Sequence, residues 1–324
     1  MLLKQIQLFR FSDSTCFVLE NLLQRLDQLT FNACLPSTSF SAGWVPPIEE
    51  NEIPLALSIN GKIMICLQIE EKILPASVVQ QELRDKIKEI AEQEQGRKVY
   101  KKEKQNLKDE IIMTLLPNAF SKLTRIYAYI DPQNQWLVLG TINVKKTEQF
   151  IDIFKKSISE SISQFQLRKI PLIMTDWVRH KNYPTAIAIE KACVLQDPKQ
   201  QSRIIRCQQQ DVFANGIQTL INEGCEIIQL ALQWQDHLQF TFSHKFHLQG
   251  LRFGVDIIAE AQEIEAETKL QQFTADFFMM TQTLAQLLNE LLNIFADNDK
   301  SDKQELNSVK KNQIPSSALE LAVN

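Results

Sequence analysis

The residues best placed to do chemistry in this 324-residue chain are cations, and the chemistry is contact with phosphate. Between Arg97 and Lys108 the sequence carries Arg97, Lys98, Lys101, Lys102, Lys104 and Lys108 against a single acid, Glu103. Arg97, Lys101, Lys104 and Lys108 stand at i, i+4, i+7 and i+11. On a helix that spacing makes one row about 16 Å long at 1.5 Å per residue, with Lys98 and Lys102 beside it. Duplex DNA carries a negative charge about every 1.7 Å of its axis, so such a row can displace counterions without reading a base. The alternative is the solvated face of an exposed helix, since Glu92 and Glu94 lie just upstream. Lys122 and Arg125 continue the basic trend beyond Phe120, which the sequence places in a helix-to-loop turn, either as a core residue or as an exposed ring able to stack on or wedge between bases.

No other constellation points to catalysis. His244-x-x-His247 falls in a segment patterned as paired strands, where residues three apart face opposite ways, so it makes a poor metal site. Glu70-Glu71, followed by Lys72, reads as a solvated strand exit rather than a carboxylate dyad. No GxSxG or HExxH frames the scattered Ser, His and acid residues. The eight glycines compose neither GxGxxG nor GxxxxGK[ST], which removes the usual cradles for dinucleotide and nucleotide phosphates. The six cysteines are never closer than fourteen positions, so CxxC metal and redox motifs are excluded and small buried thiols are expected. No catalytic signal rises above background, and no catalytic residue, cofactor or metal is expected.

The elements that must position the cations belong to an α+β fold. Ile63, Ile65, Leu67 and Ile69 alternate after Asn60-Gly61, a dipeptide suited to a type I′ hairpin turn. A second strand pair flanks 131–134, and a third runs through Leu238, Phe240 and Phe242 and returns through Phe246 and Leu248. Apolar residues three and four apart predict helices over 18–29, 145–158 and 212–221. A long basic helical extension is expected over 77–116, capped by Ser77, broken at Gly96 and stopped by Pro117. Near the C-terminus Phe273, Phe277, Met280, Leu284, Leu287, Leu291 and Ile294 form a heptad seam. Such a stripe must be buried, against its own domain or against a second subunit. The expected regions are 1–165, a second β-rich region over 166–255, a helical region over 256–296 and, where periodicity is lost after Asp297, a disordered tail over 297–324.

Net charge is -4, which by itself gives no hint of nucleic acid, yet it averages opposite ends. Residues 84–125 hold 11 basic and 7 acidic side chains, whereas 256–305 hold 3 basic and 11 acidic. No apolar run approaches the ~18 residues of a membrane span, and the N-terminus lacks the pattern of a secretory leader, so a cytoplasmic protein with no membrane partner is expected.

Several strings in one order carry a resemblance: Gly43-Trp44-Val45-Pro46-Pro47, Glu70-Glu71-Lys72-Ile73-Leu74-Pro75, Leu107-Lys108-Asp109-Glu110, and Leu115-Leu116-Pro117 with Ala119-Phe120-Ser121. Trp177-Val178-Arg179, Leu232-Gln233-Trp234-Gln235, Leu251-Arg252-Phe253 and Ala275-Asp276-Phe277 follow. Together they resemble the RdgC family of bacterial recombination-associated proteins. The resemblance implies a non-enzymatic, nucleoid-associated protein. Its horseshoe-shaped subunits pair as a homodimeric ring around double-stranded DNA, with little sequence preference. The ring restrains the RecA recombinase and so modulates recombination and replication-fork repair. It assigns the DNA-facing lining to Arg97, Lys98, Lys101, Lys104, Lys108, Lys122 and Arg125, a gating or wedging role to Phe120, and a dimer contact to Phe277, Leu284, Leu287 and Leu291. The chain departs from the pattern at Gln208-Gln209-Gln210-Asp211, where relatives carry Lys-Lys-Gln-Asp, so a DNA role at that segment loses two charges. The competing reading is a protein that inhibits the recombination machinery directly through its acidic surface.

Overall fold

A computed structural model of the chain describes residues 2–11, 17–50, 52–158, 161–165, 167–263 and 268–311, with the side chains of 260–263 and 296–311 left aside. In chain order the elements begin with β1 (Gln5–Phe11), α1 (Leu19–Asp27), β2 (Phe40–Val45), β3 (Ala56–Ile59), β4 (Lys62–Ile73), α2 (Ala76–Gln93) and α3 (Lys101–Leu115). They continue with β5 (Phe120–Asp131), β6 (Trp136–Leu139), α4 (Val144–Ser157), β7 (Ile162–Gln164), α5 (Ile170–His180), β8 (Ile187–Gln196) and β9 (Ile204–Gln208). The series closes with α6 (Asn215–Asn222), β10 (Glu226–Trp234), β11 (Leu238–Ser243), β12 (His247–Phe253), α7 (Val255–Glu263) and α8 (Lys269–Lys311). The class is α+β with antiparallel strand pairing.

The chain divides into two units along different lines from the contiguous regions expected. Residues 12–135 and 143–161 make one, and 1–11, 136–142 and 162–324 make the other. The reason is a long-range register: β1 pairs with β6 on one side and with β12, some 240 positions later, on the other. No local pattern in the sequence announces that pairing.

In the first unit β4 is the axis. It pairs with β3 through Asn60 and Gly61, whose φ values of 49° and 74° fit the type I′ hairpin turn. It also pairs with β2, and with β5 over its whole length, from Ile63 opposite Ile130 to Ile73 opposite Phe120. Ile63, Met64, Ile65, Cys66 and Leu67 are all buried, so the middle of β4 is covered on both faces and reads as a continuous apolar run rather than an alternation. Trp44 of β2 packs edge-on against Phe150 of α4, and its indole N–H donates to Ser157 Oγ at 2.8 Å. Gly43 next to it is required: a Cβ there would strike the backbone of Phe31.

Beyond this core the β4–β5 ladder continues and carries a helical hairpin. Chain leaving Ile73 passes Pro75 into α2, turns at Gln95 and Gly96, both at positive φ, and returns through α3 to Phe120. Ser77 does not cap α2; Pro75 occupies that position, without a side-chain cap bond. Val79 and Ile111 are buried between the helices, and Lys86 pairs with Glu110 at 3.6 Å. At the base, Lys72 Nζ donates to the carbonyls of Pro36 (2.9 Å) and Leu116 (3.1 Å) and fixes the hairpin to its sheet.

In the second unit the strands run β6-β1-β12-β11-β10-β8-β9, with β7 also on β1. One face is apolar through Leu230, Leu232, Phe240, Phe242 and Leu248, and α5 and α8 cover it. The α8 seam is consumed here. Phe277, Leu284, Leu287 and Leu291 are 0–1% exposed within the single chain, Phe295 stacks on Phe242, and Trp234 Nε1 donates to Glu290 at 2.6 Å. These four side chains have no surface left for a second subunit, so the dimer contact expected of them is replaced by a core role. The helix also continues past Asp297 to Lys311, where a tail was expected; residues 312–324 lie outside the described ones. Loss of apolar periodicity removes a burying face, but Lys300, Lys303, Gln304 and Glu305 remain good helix formers.

Candidate nucleic-acid interface

The helix that was to display the cations starts at Lys101, after Gly96 and the extended residue Tyr100, and this shortens the row. Arg97 and Lys98 sit in the connection before it. Arg97 is engaged with acids: its Nε lies 2.6 Å from Glu94 Oε2 and its Nη2 reaches Glu103. Lys101, Lys104 and Lys108 stand on one stripe of α3, spanning about 10 Å, or roughly three phosphates along a DNA strand. Lys102 lies a quarter-turn away. All four are exposed, and among the described residues none of them enters an ion pair. The neighbouring acids are occupied instead, Asp109 by Gln105 at 2.9 Å and Glu110 by Lys86.

The two remaining cations part company on β5, where successive side chains face opposite ways. Lys122 is exposed and registered against Glu71, whose carboxylate is bonded to Lys145 at 2.6 Å. That hydrogen bond holds Glu71 below the usual carboxylate range. Arg125 points to the other face and is tied to Glu49 Oε1 at 2.9 Å and to Gln68 Oε1 at 3.0 Å. It serves the unit's structure rather than an open surface. Glu70 also departs from the solvated exit expected: it is 8% exposed and accepts the backbone N–H of Cys34 at 2.7 Å. Hydrogen bonds from Ser121 and Cys34 lower its pKa. Because Glu70 and Glu71 lie on opposite faces, they form no dyad.

Phe120 opens β5 rather than occupying a turn, and it is 85% exposed. Its cross-strand neighbour Ile73 is 49% exposed, so the two present an apolar step at the root of the basic hairpin. Large apolar side chains this exposed stand out on a surface.

The second unit holds a mixed polar and apolar surface that the sequence did not reveal. A cleft of about 720 Å³ on this sheet is lined by Glu190, Lys191, Gln208, Gln209, Gln239, Thr241 and Arg252 together with apolar Ala231, Leu232 and Phe240. Lys191, Gln208 and Arg252 come from three strands, and only the register unites them. Gln208 and Gln209, at the segment that lacks two expected lysines, therefore stand beside two cations supplied from elsewhere. Amides can donate to phosphate oxygens but release no counterions.

The two histidines each have a neighbour of their own. His244 Nδ1 lies 3.3 Å from the Ile228 carbonyl and His247 Nε2 lies 3.2 Å from Gln164 Nε2. Among the described residues no group of three His, Cys, Asp or Glu is placed to hold a metal ion, and no helix is long and apolar enough to cross a membrane.

A large antiparallel sheet that carries a helical hairpin with an exposed lysine stripe defines an α+β protein with a cationic surface. Comparison with known proteins specifies the family. The family model described as "Putative exonuclease, RdgC" matches residues 1–298. Curated relatives named "Recombination-associated protein RdgC" from Yersinia pestis (strain Pestoides F) and Yersinia pseudotuberculosis (strain YPIII) are each 34% identical over 291 residues, 89% of this chain and 96% of theirs. The protein of that name from Yersinia enterocolitica is 33% identical over the same length. The chain belongs to the RdgC family, and a recombination-associated role comes with that membership.

Proposed function

We propose that this protein binds double-stranded DNA without sequence preference, that two copies close a ring around the duplex, and that the ring limits access of a RecA-type recombinase at the nucleoid. The observation that carries the reading is the α3 stripe: Lys101, Lys104 and Lys108 are exposed on one face, with Lys102 and Lys122 nearby and the adjacent acids already occupied. Phosphates would find cations there without first displacing carboxylates. The mechanism needs no bond-breaking step. The hairpin supplies charge, Phe120 supplies an apolar contact against bases or against the second copy, and occupancy of the duplex denies it to the recombinase filament. The reading assigns the chain no catalysis, although its family model carries an exonuclease description.

A salt titration on unrelated duplexes tests this. Six to ten neutralised phosphates per ring predict a loss of roughly 10³ to 10⁵ in affinity between 50 and 200 mM salt, with superimposable curves for different sequences. Enclosure adds that complexes on small circles should outlast those on short linear duplexes after a salt challenge. A flat salt response overturns DNA binding, equal loss from circles and linear duplexes overturns the ring, and magnesium-dependent degradation by the pure protein restores an enzymatic function.

A further inference from the structure

Cys193 and Cys207, fourteen positions apart in sequence, meet in the fold. Cys193 on β8 is registered directly opposite Cys207 on β9, with Val194 facing Arg206 and Ala192 facing Gln208 on either side. Opposed residues of an antiparallel pair turn their side chains to the same face, with Cα atoms about 4.5 to 5.5 Å apart. That lies inside the range of roughly 4.4 to 6.8 Å that a disulfide spans. Both thiols are free. Cys66, by contrast, faces Val45 and Tyr127 in its ladders.

Access is asymmetric. Cys193 is 3% exposed, and burial together with the neighbouring thiol pushes its pKa up to about 12. Cys207 is half-buried on β9, which ends the strand order among the described residues. Cys207 is therefore the sulfur that an oxidant meets, and Cys193 is the one that resolves.

We propose that Cys193 and Cys207 are a reversible oxidation site, a facing dithiol that a peroxide converts to a cross-strand disulfide locking β9 onto β8. The Cys207 thiolate attacks one peroxide oxygen, the O–O bond breaks, and the departing hydroxide takes a proton to become water. The product is a sulfenic acid on Cys207. The Cys193 sulfur then attacks the Cys207 sulfur, the S–O bond breaks, and the departing hydroxide leaves as water with the Cys193 proton. Two thiols and one peroxide give one disulfide and two waters, and a small-molecule thiol reverses the change by exchange. The bond would pin the edge strand that carries Arg206 and Gln208, the latter lining the cleft.

The experiment treats the reduced, native, full-length protein with one equivalent of hydrogen peroxide, blocks remaining thiols with N-ethylmaleimide, and maps peptides by mass. The expected result is a loss of about 2 Da, a single linked peptide pair holding Cys193 and Cys207, and full reversal by dithiothreitol. Thermal unfolding of the oxidised form should rise by roughly 5 °C, because a short loop is closed. Maleimide on both cysteines, or a disulfide mapped to any other pair, overturns the proposal. Cys193→Ser and Cys207→Ser should each abolish the mass loss, and its persistence in either overturns it equally. The wild-type map decides the matter if a variant fails to fold. DNA affinity is not the readout, so the outcome is independent of the function proposed above.

Discussion

Arg97 Nε lies 2.6 Å from Glu94 Oε2, and the same guanidinium reaches Glu103 across the start of α3. The turn between the two hairpin helices is thereby neutralised from within, while the lysines that follow are not. An exposed pair of this kind contributes at most about 1 kcal/mol to stability, but it changes which cations meet a polyanion.

The first expectation compares Arg97→Gln with Lys101→Glu/Lys104→Glu. Arg97→Gln should shift duplex affinity less than about threefold, whereas the double reversal should weaken every sequence alike and flatten the log-log salt slope by about 2 or more. Fluorescence anisotropy at several salt concentrations reads both. Equal losses from the two proteins would place the phosphate path along the connection rather than the stripe.

Phe120 makes the second. A side chain 85% exposed contributes little to folding, so Phe120→Ala should change stability by no more than about 0.5 kcal/mol. If the ring contacts DNA or a second copy, the same variant lowers affinity or shifts the monomer–dimer equilibrium by sedimentation. A stable variant unchanged in both would return Phe120 to an ordinary surface residue.

What was legible in the sequence was whatever depends on neighbours a few positions apart. Asn60-Gly61 marked a hairpin because positive φ at both residues has few chemical solutions, and α4, α6 and the α8 seam followed from apolar spacing. The break at Gly96 was visible too, yet its consequence for Arg97 was not: ending a helix there takes Arg97 and Lys98 off the row that their spacing implied. The cleft beside Lys191 and Arg252 was illegible because it is made by strand register, and so was the Cys193–Cys207 pair. Spacing of the α8 seam likewise required that it be buried without saying by what.

A third expectation concerns pH. Burial, and then the charges of Lys245 and His244, push His247 down to about 4. An unfolded histidine titrates near 6.5, so between those values the unfolded state binds the extra proton. Stability from this residue is complete above about pH 6.5 and is lost as pH falls towards 4, by roughly 1 to 2 kcal/mol once solvent screening of a partly exposed ring is allowed for. His247→Gln should flatten urea-unfolding stability across that window. An unchanged slope would assign the acid sensitivity to other groups.

The last expectation tests where the α8 stripe belongs. Leu284, Leu287 and Leu291 are 0% exposed, and Phe295 beyond them lies between Phe242 and Trp177, with ring centroids at 5.0 and 5.4 Å. Truncating Leu287 to alanine leaves a void that the surrounding helix and sheet can only partly close, which typically costs 2 to 5 kcal/mol. The thermal midpoint should fall by several degrees, independent of protein concentration. A seam buried between subunits would behave differently. Its truncation would separate protomers at dilutions where the parent stays associated, and the midpoint would depend on concentration. Differential scanning calorimetry over a hundredfold dilution, beside sedimentation at the same concentrations, distinguishes the two. If Leu287→Ala dissociates the assembly without lowering the monomer's own stability, the stripe is an interface after all, and the core of the second unit must be drawn without it.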